Sequence, residues 1–233
     1  MLIVIRKNLI KIIILALILI SILCAISSIF YQTQKMAFAQ KKIIVIDAGH
    51  GGRDNGIIGV NGTKEADKNL EIAFAIGEKL EQAGFGVVFT RKDKDGLYNE
   101  NSVNKKRDDF SARKKILDSV NCFMLISIHC NKYPDGTRRG AQAFYNANSA
   151  CSKILANIVQ ENLNGLNAKH VGRTYSALKG DYYMLNCTVA PSVIIESGFL
   201  SNEEDEKLLN DKEYLDSFVY AIYCAIVAYC EKI

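Results

Sequence analysis

Proline and histidine are scarce in this chain, with two and three residues respectively among 233. So little proline leaves no Pro/Ser-rich linker, and no internal repeat is visible. Paired cysteines of the CxxC type are absent. The helical zinc motif HExxH is missing as well. The glycine-rich turn Gly49-His50-Gly51-Gly52 lacks the Lys-Ser/Thr ending of a phosphate-binding loop. The formal net charge of +4 is small and scattered and gives no argument for nucleic acid, so none is expected as a partner.

What is present divides at about residue 40. Arg6, Lys7 and Lys11 precede Ile12 to Phe30, a run without charge. As a helix this run reaches about 28 Å, close to the hydrocarbon thickness of a bilayer. The basic flank lies on its N-terminal side, so the remainder is expected outside the cytoplasm. Ala37-Phe38-Ala39 offers a small-x-small cleavage site. An uncleaved anchor and a signal peptide removed after Ala39 are both open, and the length of the run favours the anchor. Gln32 to Gln40 reads as a polar tether. Residues 1–40 are therefore a signal or anchor segment, and residues 41–233 one domain, with membrane contact only through the former.

The six cysteines of that domain show no dense spacing, and a domain of about 190 residues does not need staples. Cys122, Cys224 and Cys230 stand among apolar residues and read as buried thiols.

From Lys41 onward strands and helices alternate. Strands are predicted at residues 43–47, 86–90, 123–129, 141–145 and 193–196. Helices are predicted at 66–83, where Leu70, Ala73, Phe74, Gly77 and Leu80 repeat at helical spacing, and at 109–119, 149–163, 203–209 and 213–230. Gly84 stops the first of these, and Asn164-Gly165 is read as the end of the third. Residues 92–108 read as a polar loop. The pattern predicts an α/β fold: one domain with a mostly parallel, twisted sheet flanked by helices on both faces.

Two of the three histidines stand at the ends of apolar runs, in Ile43-Ile-Val-Ile-Asp-Ala-Gly-His50 and Leu125-Ile-Ser-Ile-His129. In such sheets ligands bind beyond the carboxyl ends of the strands. Two rare imidazoles delivered to one edge point to a metal site. Imidazole nitrogens with a carboxylate suit Zn²⁺, and three protein ligands leave a position for water. Glu65, at the start of the 66–83 helix, supplies the carboxylate; alone it would be only a helix-start acid that complements the macrodipole. Glu196 ends the apolar run Val193-Ile-Ile195, where a carboxylate is costly unless compensated. Its expected role is general base toward water, then proton donor to a leaving amine. Asp47 is expected to orient the first turn. Asp54 and Asp67 read as turn and helix-start acids, and His170 as a solvated loop residue. Tyr175, Tyr182 and Tyr183 either line a groove or pack.

Four segments resemble the zinc-dependent N-acetylmuramoyl-L-alanine amidases of type 3. They are Ile46-Asp-Ala-Gly-His50-Gly-Gly; Gly62-Thr-Lys-Glu65 with Asn69-Leu70; Ser127-Ile-His129-Cys-Asn131; and Pro191-Ser-Val-Ile-Ile-Glu196-Ser-Gly-Phe-Leu-Ser-Asn202 with Asp205. The resemblance implies Zn²⁺ held by His50, Glu65 and His129, and catalysis by Glu196. It also implies a substrate, the amide between N-acetylmuramic acid and L-alanine of the peptidoglycan stem peptide. Two departures are visible: Asp118 stands where the family has Asn, and Cys130 replaces a small residue. A short, anchored form is similar to the germination-specific subgroup, which acts on spore cortex so that muramic-δ-lactam can form. A vegetative autolysin, a non-catalytic peptidoglycan-binding module and another zinc hydrolase are the alternatives. Without wall-binding repeats, an activating or recruiting protein is expected.

Overall fold

The computed structural model describes residues 2–39 and 41–232, with side chains given for residue 11 and residues 13–31 and 41–232. The chain divides into two compact units, Met1–Lys41 and Lys42–Ile233.

The first unit is one helix, α1 (Leu2–Ala39). Its span Ile13–Tyr31 is long and apolar enough to cross a membrane, and none of that span is buried. The expected tether from Gln32 is instead helical through Ala39, because it contains neither proline nor glycine to break the helix. Gln40, the residue after the expected cleavage point, lies outside the described residues.

The second unit runs β1 (Ile43–Ala48), α2 (Glu65–Gln82), β2 (Gly86–Phe89), α3 (Lys105–Asp118), β3 (Cys122–Asn131), β4 (Gln142–Tyr145), α4 (Ala150–His170), β5 (Leu178–Lys179), α5 (Tyr183–Asn186), β6 (Ser192–Phe199), α6 (Glu203–Leu209) and α7 (Lys212–Lys232). The strands form one sheet in the order β2-β1-β3-β6-β4-β5. β2, β1, β3 and β6 are mutually parallel, and β4 is antiparallel to β6 and parallel to β5. The mostly parallel α/β sheet expected from the sequence is therefore the one observed.

Period-2 alternation splits each strand between two cores. Ile44, Ile46, Met124, Ile126, Ile128, Val193 and Ile195 face a large core closed by α2, α4 and α7. Val45 and Leu125 face a much smaller one, closed by Leu117 of α3 and Met184 of α5. Asp47, Ser127, His129 and Glu196 follow the same parity as Val45 and Leu125. They emerge beyond the smaller core, where the sheet is less covered.

Three expectations fail. α4 does not stop at Asn164-Gly165 but continues to His170. Leu163 and Asn167 on its inner face are buried, and the Asn167 amide is bonded to Ala141. Tertiary contacts thus override the stop signal. α3 begins at Lys105, inside the expected loop, with the Asn104 side chain capping Arg107 N at 3.0 Å. Cys122, Cys224 and Cys230 are half-buried rather than buried, while Cys130 is buried, and all are free thiols.

Candidate metal centre and active site

β1 ends in Ala48, and Gly49 turns the chain. A Cβ on Gly49 would stand 2.2 Å from Cε1 of His129, so only glycine lets the two segments approach. His50 follows with φ of 63°, a left-handed conformation uncommon outside glycine. Its carbonyl accepts a 2.7 Å bond from Nη2 of Arg113, and its Nδ1 pairs with Oδ2 of Asp54 at 2.8 Å. These two contacts fix the ring and leave Nε2 facing inward. Nε2 lies 3.1 Å from Oε1 of Glu65.

Glu65 is the first residue of α2 and is buried. Its Oε2 accepts from Ile57 N at 2.8 Å, and its Oε1 accepts from Cys130 N at 3.1 Å. The latter bond is available because β1 ends at Ala48, which leaves the amide of Cys130, on the β1-facing edge of β3, without a strand partner. Nδ1 of His129 lies 3.1 Å from the same Oε1. The turn Asn61–Thr63, which leads into Glu65, is held by buried Glu206, whose carboxylate accepts from the amides of both residues at 2.6 and 2.9 Å.

His50, Glu65 and His129 thus present ligand atoms that all lie within 4.8 Å of one another. Two atoms bound to one tetrahedral zinc at about 2.1 Å would be about 3.4 Å apart. The 3.1 Å separations and the donor set of two imidazoles and one carboxylate fit that ion. The imidazole side chains are 25% and 24% exposed and Glu65 only 2%, so the centre opens on the histidine side.

Neighbouring groups shift the titration of His50 and Glu65. Burial opposes the charged form of His50, but the hydrogen bonds and charges of Glu65 and Asp54 outweigh it and raise its pKa to about 9. Burial likewise opposes ionisation of Glu65, yet His129 and His50 hold it below the usual carboxylate range. A divalent ion would displace those protons and take over their role.

Glu196 sits opposite His129 in the β3–β6 register. Its Oε2 is buried without a hydrogen-bond partner among the described residues. Burial pushes its pKa up to about 7, against the lowering influence of His129 and with Glu65 adding to the rise. A partnerless carboxylate that ionises near neutrality has the form of a general base.

Asp47 lies outside this group of converging donors. It accepts from Arg113 Nη1 at 2.5 Å, Ser127 at 2.6 Å and Thr90 at 2.8 Å, and so ties α3, β3 and the end of β2 to the strand that carries His50. Asp54, read from sequence as a turn acid only, orients a metal-ligand candidate. The sequence sign was a carboxylate four residues after the histidine in a glycine-rich turn. Arg91 was also missed. Buried, it donates to the carbonyls of Ala48, Gly49 and Ala66, locking the end of β1 to the start of α2. His170 ends α4 and packs edge-on to Tyr214, away from the centre. Asp67 stays on the first turn of α2, 3.4 Å from Lys94. Tyr175 is structural, its hydroxyl bonded to Arg139 O. Tyr182 and Tyr183 are partly exposed beside Phe144 and Phe110.

Residues 44–228 match the family described as N-acetylmuramoyl-L-alanine amidase. The chain belongs to that amidase family. The germination-specific N-acetylmuramoyl-L-alanine amidase of Bacillus subtilis is 35% identical over 191 residues, covering 81% of this chain and 79% of that protein. The amidase LytC of the same organism is 31% identical over 190 residues, and the match spans 35% of its length. Among solved structures, the CwlD amidase of Clostridioides difficile, in complex with the GerS lipoprotein, is 37% identical with a TM-score of 0.77. That match covers 83% of this chain and all of the other. The reaction of this amidase is hydrolysis of the bond between N-acetylmuramic acid and the L-alanine of the stem peptide.

Proposed function

We propose that this amidase is a zinc enzyme in which His50, Glu65 and His129 hold the metal and Glu196 is the catalytic base. The observation that carries this reading is the convergence of three donors within 4.8 Å beside a carboxylate without a partner. When bound, zinc supplies Lewis-acid polarisation of the scissile carbonyl and lowers the pKa of water. Glu196 takes the proton of the attacking water and delivers it to the departing amine of L-alanine. Asp54 holds the His50 ring, and the amides of Ile57 and Cys130 hold the Glu65 carboxylate, so neither ligand must reorganise during turnover.

Residues 41–233 are the catalytic domain, and residues 1–40 export it and anchor it to the membrane or are cleaved. The enzyme works outside the cytoplasm, on spore-cortex peptidoglycan, where release of stem peptides lets muramic-δ-lactam form. The likeness to a germination-specific amidase supports the cortex role. The apolar span Ile13–Tyr31 supports the anchor. Because the similar CwlD structure is a complex with a lipoprotein, a protein partner is part of this reading.

The test uses purified enzyme and cortex peptidoglycan, with and without a chelator, read by mass spectrometry. Stem peptides with a free L-alanine amine are expected only where metal is present. Glu196→Gln is expected to retain stoichiometric zinc while kcat falls by about 10²- to 10⁴-fold. Turnover near the wild-type rate in that variant would overturn the base assignment.

A further inference from the structure

A cavity of about 540 Å³ opens directly beside the two histidines. Its walls come from the turn after β1, the loop before α3, α3 itself and Met184 of α5. Phe110 and Met184 give it an apolar floor. Its lining carries four basic side chains, Arg53, Lys105, Lys106 and Arg113, against three acids. All three acids face partners other than the lysines: Asp47 and Asp109 share Arg113, at 2.5 and 2.6 Å, and Asp54 bonds His50. Arg53 pairs with Glu100 at 2.8 Å. Two ammonium groups, those of Lys105 and Lys106, have no carboxylate partner among the described residues. Lys105 donates only to the uncharged carbonyls of Glu100 and Ser102, and Lys106 has no ion-pair or hydrogen-bond partner among the described residues. The hydroxyl of Tyr98 accepts from Arg53 N at 2.6 Å, which leaves its own hydrogen free to donate. A concave site with a cationic rim over an apolar floor attracts an anion attached to an apolar chain.

The substrate must run away from the metal in two directions, glycan from one side of the scissile amide and peptide from the other. Resting on the amidase reading above, we propose that this cavity is the peptide subsite. In it Lys105 and Lys106 recognise a free carboxylate of the stem, so that the enzyme prefers acidic stem peptides to amidated ones.

The experiment compares N-acetylmuramoyl-L-alanyl peptides in three forms: free acid throughout, side-chain carboxylate amidated, and C-terminal carboxylate amidated. The full chain is used, and kcat/KM is measured for each. Wild type should favour the free acid, and the amidated form that loses most identifies which carboxylate is bound. Each of Lys105→Gln and Lys106→Gln should cut the acid-over-amide ratio by about 5-fold, and the double variant Lys105→Glu/Lys106→Glu should invert it. The wild-type ratio should shrink as salt rises. Lys153→Gln on α4 makes the same change in net charge and should leave the ratio where it was. A wild-type ratio of one, or a ratio untouched in the lysine variants, overturns the proposal. Cleavage of the amidated peptides by wild type shows independently that the amidase reading stands.

Discussion

At the candidate metal centre, His50, His129 and Glu196 were legible because each closes an apolar run, and Glu65 because a turn meets a helix start there. What escaped was the set of residues that aim them. The pairing of Asp54 with His50 depends on the left-handed φ of 63° at His50, which spacing does not reveal. Arg91 acts on backbone carbonyls, which carry no sequence signal. The first omission leads to one test, and the close approach at Gly49 to another. Asp54→Ala leaves the His50 ring free to rotate, and zinc affinity is expected to fall by about 10- to 100-fold, measured by competition with a chelating dye. Gly49→Ala pushes a methyl into the His129 ring and should reduce metal occupancy while the isolated far-ultraviolet dichroism stays native. Glu196 gives a pH test. With the carboxyl raised to about 7 in the metal-free protein, only its ionised form can accept a proton, so activity climbs with pH on the acid side. Bound zinc adds positive charge and favours the ionised form. The midpoint of that limb in the loaded enzyme should therefore fall below 7, and a midpoint above 7 would contradict the role.

Elements were read well where burial enforced periodicity and poorly where it did not. α6 fell where expected, and β1, β2, β3 and β4 agree to within a few residues. α3 was entered late. Its first turn, Lys105-Lys106-Arg107, places three cations at the positive end of the helix dipole, against the usual preference. The cue lay one residue earlier, in the Asn104 cap. For α4 the misleading cue was Asn164-Gly165. The Asn164 side chain bonds the backbone of Tyr175, and Gly165 is an ordinary helical residue with nothing within 4 Å of a Cβ placed on it. Gly165→Ala should therefore stabilise the protein by about 0.5–1 kcal/mol, read as a higher denaturation midpoint. A loss of stability there would mean that the helix does end at Gly165. α3 carries the opposite case. Arg113 is buried against Asp47 and Asp109, and Arg113→Met leaves Asp47 charged, buried and without its cation. Removing one partner of such a pair costs about 3–5 kcal/mol, enough to lower the urea midpoint markedly.

At the scale of the whole molecule, the strand order explains why residues far apart in sequence meet. β1 and β3 are neighbours, as are β3 and β6, so His50, His129 and Glu196 come to one edge, and α2 begins there with Glu65. Sequence spacing predicted the edge but not the order, because β4 reverses and inserts beside β6. A cation held at that edge ties β1, α2 and β3 together, so occupancy should stabilise the fold as a unit. Free zinc at one hundred times its Kd is worth about 2.7 kcal/mol. In the metal-free protein the protonated His50 does part of this work. Its folded pKa of about 9 lies above its ordinary 6.5, so the contribution is complete below 6.5 and lost as pH rises through 9. The two forms should therefore diverge: the gap in melting temperature between zinc-loaded and chelated protein widens from pH 6.5 to pH 9. Glu196→Gln, which removes no ligand, should show the same widening gap. Glu65→Ala should show almost none, and a full zinc-dependent shift in that variant would place the cation elsewhere in the molecule.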